Sequence, residues 1–477
     1  MKKFNYFIFS TLLLSSAVTY AAPPEGDLDV AIIGGGFSGL SAAIKIKKDT
    51  KNFVIFEGRD RLGGRAWTQI INEKPFDCGA EYVDKKEQNE MWQLIKRYGV
   101  KTTDVRLQDE IKFLVGGEAK ALSEMKSAID SLEEKLHSKL KSIRNEDYSE
   151  LKNGEYISTN LFQALDLNEN EKGILNALIQ DESGINGDEA PLTSISAWAE
   201  KLKEYKSITT AKKWFNPLLS LYHEQSRIEG GTKTLVQEMA KEIGQDDHIV
   251  TGNPLKQIVW QSDEKLFNMT FQDNSTRRAK SVLMTIPFSV LSENTILEDT
   301  SLGITNEMRK YIDSMVYGTN SKVIVPVSTP LKLTYGIDLN GPTAWANANQ
   351  DMHILLGGTP GKNVTQESAS IHIGRFLTAT GKIMPQGQQA TVINWSQDPF
   401  SKGSYRAWKS GVTFSEFDHP SPLDKNLNAF STSLFEKKIP LIFAGEHMVY
   451  RGGGTMNSAV KTGFATADLM SQFLKKK

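Results

Sequence analysis

The chain has 477 residues, more than one hydrophobic core usually supports, so its length predicts two domains. Hydrophobic residues make up 39% and charged residues 24% of the sequence, as in ordinary globular proteins. With 56 basic and 57 acidic residues, the formal net charge is -1. The charge therefore gives no electrostatic reason to expect nucleic acid or an anionic membrane as a partner.

Residues 1–21 have the pattern of a secretory signal peptide. A short basic start precedes an uncharged stretch from Phe4 to Val18, and small residues end at Ala21. We predict cleavage after Ala21 and export to the periplasm or the medium. The alternative is an uncleaved anchor, although the apolar run is short for a membrane span, and no later stretch reaches that length. Cys78 is the only cysteine, so an intrachain disulfide is excluded.

An apolar segment of strand type, Asp29–Ile33, is followed by glycines in the pattern G-x-G-x-x-G. Gly34 permits a tight turn, and Gly36 lets the backbone approach a pyrophosphate closely. Gly39 lets the helix that follows, Leu40–Lys47, pack closely on the strand. The pattern predicts a phosphate-binding turn at the start of a helix.

Further features support this interpretation of the turn. Ser38 lies at the N-terminus of the helix, where free N–H groups and the positive end of the dipole face the phosphates. A second strand, Phe53–Phe56, ends in Glu57, 18 residues after Gly39, where a carboxylate can accept hydrogen bonds from ribose hydroxyls. Because these parts occur in the required order, we predict a dinucleotide site rather than an ordinary glycine turn.

Gly63, Gly64 and Arg65 follow closely, and their pattern allows a tight turn with a guanidinium beside it. Next to a pyrophosphate Arg65 would be a fixed charge partner, and otherwise it is a surface-loop arginine. Together with the glycine fingerprint and Glu57, this Gly-Gly-Arg closely resembles the flavin-containing amine oxidases of the monoamine and polyamine oxidase group. The resemblance implies FAD rather than NAD. It also implies an α/β FAD-binding domain (Rossmann-like, GR2-type) and an α+β substrate domain with a mixed sheet and helices.

The resemblance and the pattern of elements together predict the domain boundaries. The FAD-binding domain takes residues 27–84, 227–290 and 434–477. The substrate-binding domain takes residues 85–226 and 291–433.

Within the first part of the substrate domain strand signals disappear, and apolar residues at 3-4 spacing from Leu122 to Ile143 predict a helix. We expect it to pack on its own domain, with a coiled-coil partner as the alternative. Thr193 is a candidate N-cap of another helix. Where the chain re-enters the FAD-binding domain, the sequence predicts a helix at Leu235–Ile243. In the second part of the substrate domain the sequence pattern predicts five strands: Ser321–Val327, Thr343–Ala346, His353–Leu356, Ser370–Phe376 and Thr391–Trp395. The resemblance implies that they form the floor of the substrate cavity.

The resemblance assigns three residues to the chemistry. Lys322 matches the family lysine that holds a water at flavin N5, whereas spacing alone would make it a solvated lysine at a strand end. Trp395 begins a frame in which monoamine oxidases carry, nine positions later, a cysteine bonded to the flavin. Ser404 stands there, so a thioether at this position is excluded and FAD should be bound noncovalently. Tyr405 matches one wall of the aromatic sandwich that guides the amine, and the alternative is a core aromatic.

The remaining cofactor residues also come from the resemblance. Leu255 occupies the position whose backbone contacts the adenine end of FAD. Glu446 is the acid that bonds the ribityl chain, and Met456 lies at the start of the helix Thr455–Leu474, whose N-terminus faces the flavin pyrimidine. Thr455 replaces the second tyrosine of the aromatic sandwich. We predict no metal ligands.

Glu81 and Asp84 stand in a segment where amino-acid oxidases of the wider superfamily tend to place an arginine. Acidic groups suit a cationic amine, and solvated loop carboxylates are the alternative. The sequence thus predicts an exported FAD-dependent oxidase of a small-molecule amine, which passes a hydride to the flavin and electrons to O2, giving H2O2.

Three alternatives stay open from the sequence. The first is an L-amino-acid oxidase or monooxygenase, favoured if an arginine such as Arg375 or Arg406 lines the pocket. The second is a flavin desaturase or dehydrogenase that uses another electron acceptor. The third is an exported protein with the FAD fold that binds a ligand without turnover.

Overall fold

A computed structural model of the chain describes residues 25–105, 110–145, 161–190, 225–408, 439–449 and 453–475. The predicted signal peptide and the cap at Thr193 lie outside the described residues. Among the helices that are described, none combines the length and the apolar character needed to cross a membrane.

A five-stranded parallel sheet carries the glycine fingerprint. Its strands are apolar on both faces because helices cover one face and a second sheet covers the other. The covering sheet is antiparallel and consists of Leu255–Gln261, Leu266–Phe271 and Thr276–Ala279. The order across the parallel sheet is Ile249–Val250, Phe53–Phe56, Val30–Ile33, Val282–Met284 and Leu441–Phe443, so three distant stretches of the chain contribute to it.

The helix Phe37–Ile46 packs between this sheet and the C-terminal helix Met456–Lys475. Glycines make the close approach possible. A Cβ added at Gly39 would lie 2.0 Å from the Gly34 carbonyl oxygen, and one added at Gly463 would lie 2.2 Å from the Ser38 carbonyl oxygen. The helix start is therefore held directly against the end of the first strand.

A seven-stranded mixed sheet forms the centre of the other half. The helix Gln366–Thr380 covers one of its faces, and Lys126–Asn145 and Glu169–Ser183 cover the other. The predicted helix that began at Leu122 is thus present as Lys126–Asn145 and packs on its own chain. The strand order is Thr391–Asn394, Ser321–Val325, Met352–Leu356, Thr343–Ala346, Leu333–Asp338, Glu110–Val115 and Glu118–Ala121.

Short elements connect these sheets. The smaller sheets pair Thr68–Ile71 with Lys74–Asp77, Met315–Tyr317 with Arg406–Trp408, and Gln225–Ile228 with both Tyr82–Asp84 and Thr102–Asp104. The other described α-helices are Glu90–Arg97, Leu161–Ala164, Lys233–Ile243, Gln245–His248, Phe288–Leu291, Asn306–Asp313 and Gly358–Lys362, and the 3-10 helices are Thr300–Leu302 and Glu446–Met448.

The predicted strand Ser370–Phe376 is wrong, because these residues belong to the helix Gln366–Thr380. Thr365 caps the helix in a capping box with Ser368, and Gly381 ends it in the left-handed conformation. Within this helix the Ile371 side chain is 59% exposed, whereas Ile373 and Phe376 are buried against the sheet.

The predicted loss of strands between residues 85 and 226 is also wrong. Glu110–Val115 and Glu118–Ala121 form a hairpin that extends the mixed sheet. The turn is made by Gly116 and Gly117, both with positive φ, and glycines between short alternating segments are the signal that could have revealed it. Leu333–Asp338, which joins this hairpin to the rest of the sheet, was not predicted either.

We predict that Gly463→Ala destabilises the protein by about 1–3 kcal/mol, because the added methyl overlaps the Ser38 carbonyl. Urea unfolding of the apoprotein measures the change. Gly374→Ala is the matched control, since that helical position has no atom within 4 Å of an added Cβ and should gain up to about 1 kcal/mol. Equal responses of the two variants would contradict the packing argument.

Candidate active site

A cavity of about 690 Å³ lies between the two halves, at the carboxyl ends of the parallel strands. Both the parallel and the mixed sheets contribute to its walls. Most of the residues singled out from the sequence line it together: Gly34, Gly36, Ser38, Glu57, Gly64, Arg65, Glu81, Leu255, Lys322, Trp395, Tyr405, Glu446, Thr455 and Met456.

Gly39 and Asp84 do not line the cavity. Gly39 lies beneath the fingerprint turn, where its role is packing against Gly34. The Asp84 carboxylate accepts a hydrogen bond from the backbone N–H of Lys86 at 3.1 Å, and the Lys86 ammonium is 3.6 Å away. Asp84 is therefore placed away from any substrate in the cavity.

The fingerprint turn leaves room for a phosphate. The nearest atom to a Cβ added at Gly36 is Gly64 Cα at 3.9 Å, so the protein itself does not require glycine there. Ser38 Oγ is buried and has no hydrogen-bond partner among the described residues. An unpaired buried hydroxyl costs free energy unless a ligand or water pairs with it. Both features fit a phosphate at the N-terminus of the helix Phe37–Ile46.

Glu57 is fixed at the end of the strand Phe53–Phe56. Its Oε2 accepts the backbone N–H of Gly35 at 2.6 Å, and its Oε1 accepts the backbone N–H of Arg59 at 2.9 Å. A carboxylate has about four acceptor positions, so two remain for hydroxyl groups of a nucleotide. Glu57 is buried and lines the cavity, so its two remaining acceptor positions are available to a ligand there.

Arg65 and Glu446 form a partly buried ion pair in the wall of the same cavity. Arg65 Nη1 is 2.8 Å from Glu446 Oε1 and also donates to the Ser404 carbonyl oxygen at 2.7 Å. Glu446 Oε2 accepts the backbone N–H of Gly454 at 3.0 Å. Burial alone would raise the pKa of Glu446, but Arg65 and other nearby cations outweigh it, and the pKa lies below its usual range. Arg65 is thus a partner of the predicted ribityl acid rather than a surface arginine.

Thr455 caps the C-terminal helix. Its Oγ1 accepts the backbone N–H of Ser458 at 3.1 Å, and the helix Met456–Lys475 begins directly after it. The helix N-terminus therefore points into the cavity, which Thr455 and Met456 both line.

Lys322 lies on the strand Ser321–Val325, which has a neighbouring strand on each side, and is 5% exposed, so it is not a solvated strand-end lysine. Its ammonium donates to Glu81 Oε2 at 3.0 Å and to the carbonyl oxygens of Asp77 at 3.0 Å and Gly79 at 2.9 Å. Glu81 lines the cavity, as expected of a carboxylate that binds the substrate, but its partners are basic side chains of the protein.

Trp395 and Ser404 line the cavity and are held by hydrogen bonds to other segments of the chain. Trp395 Nε1 donates to the Cys78 carbonyl oxygen at 3.1 Å. Ser404 Oγ is within hydrogen-bond distance of Asn320 Oδ1 at 2.8 Å and the Gly318 carbonyl oxygen at 3.0 Å. Burial raises the pKa of the Cys78 thiol to about 11, so this cysteine is protonated at neutral pH.

Aromatic side chains that the sequence did not single out join Tyr405 around the cavity: Tyr82, Tyr335 and Trp345. The Tyr405 hydroxyl donates to the Asp181 carbonyl oxygen, and the Tyr335 hydroxyl donates to the Asp181 carboxylate. Asp181 was likewise missed. Trp345 and Tyr82 fell inside segments already predicted, but only the fold shows which face of each strand meets the cavity.

The chain matches known proteins over nearly its whole length. Residues 37–471 match the sequence profile of the flavin containing amine oxidoreductases. The chain belongs to this family. It is 22% identical to a pseudooxynicotine dehydrogenase of Pseudomonas sp and 22% identical to polyamine oxidase 4 of Oryza sativa subsp. japonica, in each case over 94% of this chain and 88% of the relative.

Solved structures share the fold. A putrescine oxidase bound to putrescine superposes with a TM-score of 0.72 at 17% identity, covering 94% of this chain and 99% of that one. Cyclohexylamine oxidase from Brevibacterium oxydans gives 0.70 at 17% identity, covering 94% and 100%. The fold is thus the FAD-binding fold of amine oxidases, as the sequence predicted, and the protein is a flavin-dependent amine oxidoreductase.

We predict that Gly36→Ala weakens FAD binding at least tenfold while leaving the thermal unfolding midpoint of the apoprotein unchanged. The added methyl has space in the protein itself but occupies the place where a pyrophosphate would approach. Fluorescence titration of the apoprotein with FAD measures the affinity. An unchanged affinity would show that no phosphate comes close to this turn.

The buried side chain of His447 makes the stability of the folded protein depend on pH. It is buried beside Glu446, its ring is 4.2 Å from that of Phe288, and neither ring nitrogen has a hydrogen-bond partner among the described residues. Burial lowers its pKa from 6.5 to about 3. The unfolded chain therefore binds a proton that the folded protein does not, and stability is lost as pH falls below 6.5 toward 3.

We expect His447→Leu to reduce this acid sensitivity. In the apoprotein, the wild-type free energy of unfolding should fall more steeply than that of the variant between pH 6 and pH 4, by up to about 1.4 kcal/mol per pH unit. Urea unfolding at several pH values measures the slopes. Above pH 7.5 the two slopes should agree, because the imidazole is then neutral in both states. Equal slopes in acid would contradict the assignment.

Proposed function

We propose that this protein is an exported FAD-dependent amine oxidase that deaminates a primary or secondary amine oxidatively, with O2 as acceptor and H2O2 as product. The observation that carries the proposal is a single cavity that joins a dinucleotide-binding turn to Lys322 and a group of aromatic side chains. Such a cavity can bring a flavin and an amine together.

The residues around the cavity fit FAD in separate regions. Gly36, Ser38 and the N-terminus of the helix Phe37–Ile46 would hold the pyrophosphate, and Glu57 would bind the adenosine ribose. Glu446, oriented by Arg65, would face the ribityl chain. Bound FAD supplies the acceptor for a hydride from the carbon next to the substrate nitrogen. The protein binds and orients both molecules and keeps water out.

The cavity suits an amine better than an amino acid. Among the described arginines only Arg59 and Arg65 line it, and both are paired with carboxylates, Arg59 with Asp398 and Arg65 with Glu446. Arg375 pairs with Asp338 at 2.9 Å, and neither it nor Arg406 lines the cavity. Among the described residues, the cavity therefore has no arginine without a carboxylate partner, which an amino-acid oxidase would use to bind the carboxylate of its substrate.

The aromatic side chains offer binding surface to the nitrogen. Tyr82, Tyr335, Trp345 and Tyr405 line the cavity, and a ring face attracts a cationic or polarised nitrogen by about 0.5–2 kcal/mol. The relatives named after polyamines, putrescine and cyclohexylamine support amines as the substrate class.

We further propose that FAD is bound noncovalently. By resemblance, Ser404 stands where monoamine oxidases carry a flavin-bonded cysteine, and its hydroxyl is hydrogen bonded to the protein. The single thiol of the chain, Cys78, has a raised pKa and is a poor nucleophile. Acid precipitation of the purified protein should release all of the yellow colour into the supernatant.

A dehydrogenase is the second candidate, because one relative carries that name. A screen of diamines, polyamines, monoamines and amino acids, read out both as peroxide and as dye reduction under nitrogen, separates the two. Peroxide formation supports an oxidase, and dye reduction without peroxide supports a dehydrogenase. Failure of every amine to bleach the flavin would overturn the main proposal.

Export also belongs to the proposal and rests on the pattern of residues 1–21. Expression of the full chain followed by N-terminal sequencing tests it. A mature protein that begins at Ala22 supports cleavage after Ala21, and a protein that begins at Met1 contradicts it.

We predict that Lys322→Met slows reoxidation of the flavin by O2 at least tenfold without loss of bound FAD. The ammonium group lines the cavity, and the methionine keeps the volume while removing the charge and the donors. Stopped-flow absorbance measures the rate. Lys332→Met, at an exposed lysine, is the matched control and should leave the rate unchanged. Equal rates in all three proteins would remove Lys322 from the mechanism.

A further inference from the structure

A buried cluster of charged groups surrounds Glu81. Glu81 Oε1 is 2.6 Å from Arg227 Nε, and Glu81 Oε2 is 3.0 Å from Lys322 Nζ and 3.1 Å from His353 Nδ1. Glu81, Lys322 and His353 are each at most 5% exposed. The basic residues come from separate strands, Gln225–Ile228, Ser321–Val325 and Met352–Leu356, so the fold brings three segments to one carboxylate.

Glu81 is already paired with two cationic side chains, which leaves it little attraction for the ammonium group of a substrate. Burial would raise the pKa of Glu81, but Lys322 and Arg227 outweigh burial and hold it well below its usual range. Burial lowers the pKa of His353, so its ring is neutral at pH 7 and donates Nδ1–H to Glu81. A substrate ammonium that approached Glu81 would meet two cationic side chains beside one carboxylate.

Glu81 also lies in the wall between two cavities. Besides the large one, it lines a second cavity of about 210 Å³. Lys322 lines only the large cavity, whereas Arg227 and His353 line only the second. Arg227 and His353 therefore hold the carboxylate from the side of the second cavity, and Lys322 contacts it from the side of the large cavity.

The second cavity has room and partners for water. His353 Nε2 and Asn347 Nδ2 are buried without hydrogen-bond partners among the described residues, and both residues line the space. A neutral imidazole that donates through Nδ1 has an acceptor at Nε2, and the amide is a donor. Ordered water there would satisfy both groups and keep His353 oriented toward Glu81.

The ammonium group of Lys322 has a hydrogen-bond acceptor for each of its N–H groups. An ammonium has three N–H donors, and Glu81, Asp77 and Gly79 each accept one. The carbonyl groups of Asp77 and Gly79 are neutral, so Glu81 supplies the only anionic contact of Lys322 among the described residues. The position and the charge of Lys322 at the cavity wall therefore depend on Glu81.

We propose that Glu81 is a positioning residue for amine oxidation, which acts through Lys322 and does not bind the substrate amine. The inference rests on the proposed function. It replaces the expectation that Glu81 attracts the cationic substrate, and it makes Arg227 and His353 supports for that carboxylate.

The test combines Glu81→Gln, Lys322→Met and the double variant in rapid-mixing experiments with putrescine as the amine probe. Glutamine keeps the size of the side chain and removes its charge. We expect Glu81→Gln to slow the same step as Lys322→Met, at least tenfold, with the amine Kd within threefold of wild type. In the Lys322→Met background the added Glu81→Gln should change that step less than twofold. A Kd raised tenfold or more, in both backgrounds, would show that Glu81 binds the amine and would overturn the inference.

A second measurement does not depend on turnover. Glu81→Gln leaves Lys322 and Arg227 as buried cations without their anion, so the thermal midpoint of the apoprotein should fall. Adding Lys322→Met removes one of these cations and should recover part of the loss. If the double variant is instead less stable than Glu81→Gln by the full effect of Lys322→Met alone, the two residues are not coupled and the inference fails.

Two further variants complete the design. Glu81→Asp keeps the charge and should retain more of the wild-type rate than Glu81→Gln, with the amine Kd again unchanged. Equal rates for the two variants would count against a charge-based role. Glu73→Gln removes an exposed turn carboxylate and is the matched control, expected to behave as wild type. If wild-type flavin is not bleached by any amine, the proposed function fails, while the thermal measurements still decide whether Glu81 and Lys322 are coupled.

Discussion

The close contact of the helix Phe37–Ile46 with the first strand and with the C-terminal helix is the constraint on which the site depends. At Gly39 and Gly463 there is no space for a side chain, so the helix can take only one position. That position directs its N-terminus and the unpaired Ser38 hydroxyl toward the cavity. A phosphate-binding turn is thus a consequence of backbone packing as much as of the glycines that face the ligand.

The second requirement is that two sheets meet at one cavity, and Lys322 links the mixed sheet to the segment of residues 77–81. It extends from the mixed sheet and donates to the carbonyl groups of Asp77, at the end of the strand Lys74–Asp77, and of Gly79. Trp395 does the same through the Cys78 carbonyl. These bonds fix the distance between the nucleotide half and the substrate half, which is the distance that hydride transfer would depend on.

The charged groups in the cavity wall are compensated by the protein. Glu446 is paired with Arg65, and Glu81 is surrounded by Lys322, Arg227 and His353. Burying a charge is costly unless it is paired, so these groups orient one another. Aromatic side chains also line the cavity, and we propose that they contact the substrate. This pairing is the basis of the proposal that Glu81 serves the reaction without contacting the amine.

The sequence by itself determined the nucleotide-binding fold, because glycine spacing, strand patterns and the acid at Glu57 depend on local geometry, and it predicted the residues proposed to hold FAD. It failed where local pattern and tertiary environment disagree: Ile371 alternates like a strand residue but lies on the exposed side of a helix. Only the tertiary structure showed the surroundings of the acidic pair: Asp84 lies outside the cavity, and Glu81 contacts the cations Arg227 and Lys322 and the imidazole of His353, from three distant strands. The physical reason is that pairing and burial of a charge depend on segments that meet only after folding.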